Sequence, residues 1–488
     1  MTADDSTVRT LRLVTRLTLV VAALLLATWL WSRICRFPSI PWNDMRLAPS
    51  VALAQGWPVY PTASTGTINT WMYGPLPVLF NWPASWAATA AGALQVAAWL
   101  NVALFLVPLA LVCWHWPGDD APDRGVVRFA VLLGCSAIWP ELHYSVIFSD
   151  NLAIACGLLG MLLLVRARTP AAYWAAAAIG TAALGCKQIC LGIPVAQVGW
   201  LAVTAGRAAA LRHLGRCFAC GVGLGAGLIA IFGWEGLWFT LVKIPTGLGV
   251  TPDLAARLRA TAPALALHVG LPLATMLWAR RTFTGPLLLP ACTWLCSLPL
   301  GIAGMFSLGG WSNSLHGFVL WLPAALVGLV TSTRSERLRL ALPLGLALLA
   351  AGLASGRLLT EPNLRLRPQL EDHRAAAEIA ARHPGGAWFP MFPLVTLYSD
   401  RRYYHDEDGL YVRRMSRQPP GPTQLASQLP AALQFIVTHN NWSEWGLARQ
   451  MLPASHREIV TGNWTMHTGV VAAPVPPASP APTPARQP

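Results

Sequence analysis

The first apolar segment long enough to cross a membrane is residues 11–31, LRLVTRLTLVVAALLLATWLW, and its last fifteen residues carry no charge. About 20 such residues span a bilayer as a helix. Residues 32–36 offer no small-residue cleavage site, so we expect an uncleaved first span. The whole chain is 54% hydrophobic and 11% charged, whereas soluble chains carry about 25% charged residues. The sequence therefore predicts an all-α polytopic membrane protein.

Further apolar runs follow, separated by short loops that carry arginine. We predict about eleven spans, at 13–32, 94–116, 126–142, 151–165, 171–186, 189–205, 215–233, 264–279, 286–305, 315–331 and 338–355. Residues 76–92 are also apolar, but Pro75, Pro77, Asn81 and Pro83 interrupt them. Proline breaks helices, so we interpret this stretch as an interfacial or re-entrant segment. A twelfth span here would reverse the topology of everything downstream.

The distribution of arginine predicts the orientation. Cytoplasmic loops are enriched in Lys and Arg, and one alternating set of loops holds Arg9, Arg12, Arg16, Arg124, Arg128, Arg166, Arg168, Arg207, Arg212, Arg216, Arg280, Arg281, Arg334, Arg337 and Arg339. The other set includes the long segments 33–75 and 234–263. We therefore expect a multi-pass protein of the bacterial inner (plasma) membrane, with a cytoplasmic N-terminus and residues after about 357 in the periplasm.

The composition changes near the end of the last span, which predicts three parts. Residues 1–358 form the membrane domain, with the outer loop 33–75, and 359–471 form a small α/β extracytoplasmic domain. Within it we predict an amphipathic helix at 370–383 and strands at 387–398 and 433–438. Residues 472–488 are rich in Pro and Ala, cannot build a core, and are expected to be disordered.

Composition also argues against two classes of protein. The net charge of +14 comes from arginines scattered between apolar runs, which indicates membrane orientation and predicts no nucleic-acid partner. Nine of the ten cysteines lie in or beside the spans and none follows Cys296, so no disulfide framework is expected.

Ionisable residues cluster at one side of the predicted membrane domain. The span interiors are nearly free of charge, while the outer loops and outer span ends contain Asp44, Arg46, Glu141, His143, Asp150, Lys187, Glu235, Lys243, His268 and His316. Ionisable groups at membrane depth are costly and are therefore candidates for function. Because charges are missing at mid-depth, the pattern favours a polar cavity that opens outward over an ion path.

Short motifs in and after the first outer loop carry a family resemblance. They are Asp44, the stretch Gly56 to Tyr60, the run Tyr73-Gly-Pro-Leu76, Ser149-Asp150-Asn151, Gly185-Cys-Lys187, and Gly309 to Asn313. Together they resemble the GT-C superfamily of membrane glycosyltransferases, such as the protein O-mannosyltransferases and aminoarabinose transferases. The resemblance covers most of residues 10–335, loosely.

The resemblance implies a GT-C-like fold with an outward active site that transfers a sugar from a polyprenyl-phosphate donor to an envelope glycan, lipid or protein. It places the catalytic carboxylate at Asp44, which would accept the proton of the attacking hydroxyl. Cationic and polar groups would hold the donor phosphate and the substrates: Lys187, Arg46, Tyr73, Glu141, Asp150, Lys243 and Asn313. Oligosaccharyl-transferring relatives bind a metal through an Asp-x-Asp pair in the second outer loop. This chain lacks that pair, so no cofactor or catalytic metal is predicted.

The sequence leaves alternative roles open for Asp44, for Asp150 and for the protein as a whole. Better-known members carry Asp-Glu in the first loop, whereas this chain has Asn43-Asp44 without a following Glu. Asp44 could instead be a helix cap or an ion-pair partner of Arg46, and Asp150 could cap its own span. A transporter or flippase of lipid-linked saccharides and a non-catalytic GT-C-like scaffold are the rival functions. Residues 387–394 and 403–408 could form a lid over the cavity or belong to an ordinary small domain.

Overall fold

The computed structural model describes residues 3–36, 40–117, 123–138, 147, 149–333, 335–360, 370–440, 446–452 and 455–468. Each of the eleven segments that we predicted as spans is largely helical in its described residues. Their bounds are Ala3–Arg36, Ala90–His115, Arg124–Ile138, Ser149–Arg166, Pro170–Ala182, Gly192–Thr204, Arg207–Phe232, Leu254–Trp278, Leu288–Phe306, His316–Thr331 and Glu336–Thr360.

Seven helices in the described part of the chain are long and apolar enough to cross a membrane. Of the other four predicted segments, Pro170–Ala182 and Gly192–Thr204 have 13 residues each, and His316–Thr331 has 16. The helix Arg124–Ile138 has 15 residues and ends where the described residues end. Polar side chains fix some starts: Thr89 and Thr169 accept hydrogen bonds from Gly92 and Ala172, which satisfies N–H groups that have no partner inside their helices.

The prolines of the segment 76–92 have the expected effect. The chain forms a short helix, Leu76–Phe80, and a 3₁₀ turn, Trp82–Trp86, before the long helix that starts at Ala90. Neither piece approaches the length needed for a span. The structure therefore confirms that this stretch is not a continuous transmembrane helix.

Arginine-bearing loops meet at one end of the helical bundle. Arg12 binds the carboxylates of Asp123 at 2.9 Å and Glu336 at 2.7 Å. Arg166 donates to the carbonyl of His115 at 3.0 Å. The N-terminal segment and three of the arginine-rich loops thus share one side, as the alternation of charge predicted. Which side of the membrane this is remains a prediction.

Large aromatic side chains fill the core of the bundle. Trp29, Phe105, Trp116 and Trp321 are almost inaccessible to solvent. The first and last helices of the membrane domain also pack along each other.

The segment after the last span folds into a four-stranded sheet with helices around it. Strands β1 (Ala387–Trp388), β2 (Phe435–His439), β3 (Arg457–Thr461) and β4 (Trp464–Thr468) occur in the order β1-β2-β4-β3, with β1 and β2 parallel and the other pairs antiparallel. The helices are Leu370–Arg382, Pro393–Ser399, Glu407–Met415, Pro422–Ser427 and Gly446–Arg449.

This domain matches the predicted α/β class but corrects one predicted strand. The helix at 370–383 and the strand at 433–438 lie where the sequence placed them. Residues 387–398 do not form one strand, because Pro393 is at the first turn of a helix, a position that proline favours. The hairpin of β3 and β4, which turns at Gly462 with a positive φ of 60°, was not predicted.

The described part of the chain also contains several short elements. They are the helices Pro41–Ala54, Trp234–Trp238 and Ile244–Gly247, the π-helical turns Phe239–Lys243 and Ala266–Gly270, and the 3₁₀ turns Ala183–Gly185, Gln188–Leu191, Gly285–Leu287 and Ser312–Ser314. Pro41–Ala54 is buried along most of its length, so this helix of the first outer loop lies inside the protein rather than on its surface.

The C-terminal domain contacts the first outer loop directly. Asp406 N–H donates to the Ile68 carbonyl at 3.1 Å, and Arg413 donates to the Ala63 carbonyl at 2.8 Å. A Cβ atom at Gly409 would come within 2.8 Å of the Asn69 backbone, so only glycine permits this approach. The domain therefore covers the loop that carries the family-like motifs.

Candidate active site

Hydrogen bonds within the first outer loop hold it in one conformation. The Tyr60 hydroxyl donates to the Tyr73 carbonyl at 2.9 Å and accepts from the Trp71 indole at 3.0 Å. Asn69 donates to the Val59 carbonyl and accepts from the Trp71 N–H. The Trp-Met-Tyr-Gly-Pro motif is thus tied to the Gly56–Tyr60 stretch that precedes it.

The same motif packs backbone against backbone on the segment that contains Lys187. Gly74 N–H donates to the Cys186 carbonyl at 3.0 Å, and a Cβ atom at Gly74 would lie 2.0 Å from the Gly185 oxygen. Gln188 donates to the Met72 carbonyl at 3.2 Å. Two glycines therefore allow the outer loop to approach the end of a span closely.

Three residues from two span ends converge on the buried carboxylate of Asp150, at the start of a third span. Asp150 Oδ1 accepts from Lys187 Nζ at 2.8 Å and from Asn313 Nδ2 at 3.5 Å, and it contacts His316 Nε2. We call Asp150, Lys187, Asn313 and His316 the Asp150 cluster. Asp150 is 0% exposed and Lys187 is 7% exposed. A buried ion pair of this kind needs such extra hydrogen bonds to offset its desolvation.

Arg46 and Tyr73 of the outer loop border this cluster. Lys187 Nζ lies 5.4 Å from the centre of the Tyr73 ring, which is within the range of a cation–π interaction. Burial lowers the pKa of the Arg46 guanidinium, and the nearby Tyr73, Asp408 and Asp150 groups oppose that shift. Two cations and two carboxylates thus share this end of the bundle.

Asp44 points away from Arg46 and toward the C-terminal domain. The two residues lie two positions apart on the helix Pro41–Ala54, and that spacing places side chains about 200° apart around a helix. Asp44 Oδ1 accepts from Leu394 N–H at 2.7 Å, and Oδ2 contacts His373 Nε2. Asp44 is fully buried, and burial raises the pKa of its carboxyl above the ordinary value.

The predicted site residues other than Asp44 divide into three groups. Arg46, Tyr73, Asp150, Lys187 and Asn313 come together, as described above. Lys243 is exposed on a π-helical turn, and in the described part of the chain no ion pair joins it to the cluster. Glu141 lies outside the described residues.

Sequence reasoning did not include two neighbours of the site, His316 and Asp408, among the site residues, although Asp408 lies in the segment 403–408 that was offered as a possible lid. His316 was noted as an outer ionisable residue, yet nothing in the local sequence showed that it would reach Asp150. Asp408 hydrogen-bonds the Thr70 hydroxyl and lies 338 positions further along the chain. Only the docking of the C-terminal domain brings it here.

The architecture is that of the GT-C fold, in a multi-pass membrane protein with a small C-terminal domain. Among the solved structures that are similar to this chain are ArnT from Cupriavidus metallidurans bound to undecaprenyl phosphate and the same protein in the apo state. The first is 12% identical with a TM-score of 0.56 and covers 95% of this chain and 100% of its own. The second is 13% identical with a TM-score of 0.51 and covers 94% and 98%. No family model and no curated protein matches the chain.

Asp406 lies where the C-terminal domain contacts the first outer loop. Its carboxyl group predicts that the stability of the folded protein depends on pH. Asp406 caps the helix Glu407–Met415 through Gly409 N–H, and burial, reinforced by Asp408, raises the pKa of its carboxyl well above the ordinary value. For a raised pKa, the stability linked to this group is fully present below the ordinary carboxyl pKa. It is lost as the pH rises through the raised value.

We therefore expect Asp406→Asn, which keeps a good helix cap, to raise the melting temperature relative to the parent by an amount that grows with pH. Melting curves from about pH 5 to about pH 9 measure this difference. Asp253→Asn is the matched control, since Asp253 is an exposed cap bound to Ala256 N–H. A difference that stays flat with pH for Asp406→Asn would contradict the prediction.

Proposed function

We propose that the protein is a membrane glycosyltransferase that uses a polyprenyl-phosphate sugar and acts on an envelope glycan, lipid or protein at the extracytoplasmic face. The observation that carries the proposal is the Asp150 cluster, with Arg46 and Tyr73 beside it, at the end of the bundle away from the arginine-bearing loops. The GT-C fold supports it across nearly the whole chain, as does the undecaprenyl phosphate bound to ArnT.

Lys187 and Arg46 are the groups that suit the donor phosphate. Transfer forms a bond between the acceptor oxygen and the anomeric carbon and breaks the bond from that carbon to the phosphate oxygen. The leaving polyprenyl phosphate keeps the electron pair, so its negative charge grows. Fixed cations at this position stabilise that charge more in the transition state than in the ground state. In the unliganded protein Asp150 supplies the negative partner of Lys187.

The acceptor hydroxyl must lose a proton as it attacks, and the geometry favours Asp150 as the group that takes it. Asp150 Oδ1 holds Lys187 and His316, while Oδ2 accepts a long hydrogen bond of 3.5 Å from Ser149. When the phosphate draws Lys187 away, the carboxylate becomes more basic. Asp44 stays a rival proposal from the family resemblance, although both of its oxygens already contact the C-terminal domain.

Two isosteric substitutions separate these roles. Asp150→Asn keeps the shape but cannot accept the proton, so we expect transfer to fall by about 10² to 10⁴. Asp44→Asn should keep most activity, because an amide oxygen still accepts from Leu394 N–H. Complementation of a deletion strain, followed by mass spectrometry of envelope glycans and lipids, measures the product.

The opposite result would be an inactive Asp44→Asn variant and an active Asp150→Asn variant, both correctly folded. It would identify Asp44 as the general base. If both variants gave the full amount of product, neither carboxylate would be the general base. That result would favour a transporter or scaffold. Melting temperatures of both purified variants serve as the control for folding.

Lys187 is best tested together with its partner. Lys187→Met alone leaves Asp150 buried beside one fewer cation, which typically costs about 3–5 kcal/mol. The double variant Asp150→Asn with Lys187→Met removes both charges, so we expect its melting temperature to recover toward that of the parent. It should bind undecaprenyl phosphate at least tenfold more weakly, as native mass spectrometry can measure. Parent-like binding by a stable double variant would exclude Lys187 as a phosphate ligand.

A further inference from the structure

The C-terminal domain contains a second group of ionisable residues, on the hairpin of β3 and β4. Glu458 in β3 is paired directly with His467 in β4, and side chains of directly paired residues lie on the same face of a sheet. His456 precedes Glu458 by two positions, the spacing that returns a strand to the same face. The register of one hairpin therefore brings two imidazoles and one carboxylate together.

Two of the distances among these groups match those between neighbouring ligands of a metal ion. Glu458 Oε1 lies 3.4 Å from His456 Nε2 and 3.4 Å from His467 Nδ1, and all the ligand atoms lie within 4.8 Å of one another. Around a tetrahedral ion with bonds of 2.0–2.1 Å, neighbouring ligand atoms are about 3.4 Å apart. The same separation is longer than the usual 2.7–3.2 Å of an N–H to oxygen hydrogen bond.

His467 is also oriented by a neighbouring strand. Its Nε2 atom is hydrogen-bonded to the Thr438 hydroxyl of β2 at 2.9 Å, and the residue is 2% exposed. Metal-binding histidines commonly make such a bond with the second ring nitrogen, which fixes the ring and the tautomer. When Nε2 donates to Thr438, Nδ1 presents a lone pair on the side of Glu458.

We propose that His456, Glu458 and His467 form a binding site for a divalent metal ion of the zinc class. Two imidazoles and a carboxylate suit Zn²⁺ and its first-row neighbours, whereas Mg²⁺ and Ca²⁺ prefer oxygen ligands alone. Three protein ligands leave one position of a tetrahedral ion for water or a ligand from outside. The site is separate from the Asp150 cluster and does not depend on the proposed transfer reaction.

A metal ion bound at this site would stabilise the edge of the sheet. The strand β3 is exposed along most of its length and pairs only with β4 among the described strands. An ion held by His456 and Glu458 on the edge side and by His467 in β4 would cross-link the two strands. It would therefore stabilise the hairpin and raise the melting temperature of the C-terminal domain.

The test is calorimetric titration of ZnCl₂ into the full-length protein, purified in detergent without a polyhistidine tag and stripped with chelator. We expect saturable binding with one strong site, and a melting temperature that rises with Zn²⁺ and falls again after chelation. Glu458→Gln and His456→Gln, both at the exposed edge, should each weaken binding at least tenfold. Titration with MgCl₂ should give no saturable signal.

Glu378→Gln and His383→Gln are the matched controls, because they remove the same side-chain types from another part of the same domain. Co²⁺ gives a second readout, since a tetrahedral site with nitrogen and oxygen ligands has visible absorption bands that an octahedral hydrate lacks. Binding that is equal in the parent and in both edge variants, or the absence of saturable binding, would overturn the proposal.

Discussion

The ion pair between Asp150 and Lys187 is buried, and each charge would be costly to keep there without the other. This requirement constrains much of the surrounding structure. Asp150 begins the helix Ser149–Arg166, and Lys187 lies in the turn between two other helical segments. Asn313 and His316 bring the start of a further helix to the same carboxylate. The position of four chain segments is thus coupled to one carboxyl group.

Close backbone contact supports this arrangement from the side of the outer loop. Gly74 and Gly185 approach each other so closely that a side chain on Gly74 would overlap the other backbone. The loop in turn is held by Tyr60, Trp71 and Asn69, and the C-terminal domain covers it. The domain therefore does more than extend the chain: through Asp406 and Asp408 it supplies polar groups to the border of the candidate site. That residues 387–394 and 403–408 form a lid over the cavity stays a prediction.

Sequence reasoning reached the helical architecture because apolar length and arginine loops are local signals. It also selected Arg46, Tyr73, Asp150, Lys187 and Asn313, which the fold brings together. It could not foresee the direction of Asp44, because the neighbour of that helix face is His373, 329 positions away. For the same reason, the sequence could not show that His316 contacts Asp150. The strand β3 lacks a buried apolar stripe, so its pattern gave no strand signal.

The central claim is that the cations beside Asp150 receive the phosphate of a polyprenyl carrier. A structure determined by electron cryo-microscopy in lipid nanodiscs with undecaprenyl phosphate tests this most directly. We expect a phosphate oxygen about 3 Å from Lys187 Nζ, with Arg46 on the same phosphate and the Asp150–Lys187 distance increased. A phosphate bound elsewhere, with Lys187 still paired to Asp150 and covered by Tyr73, would contradict it.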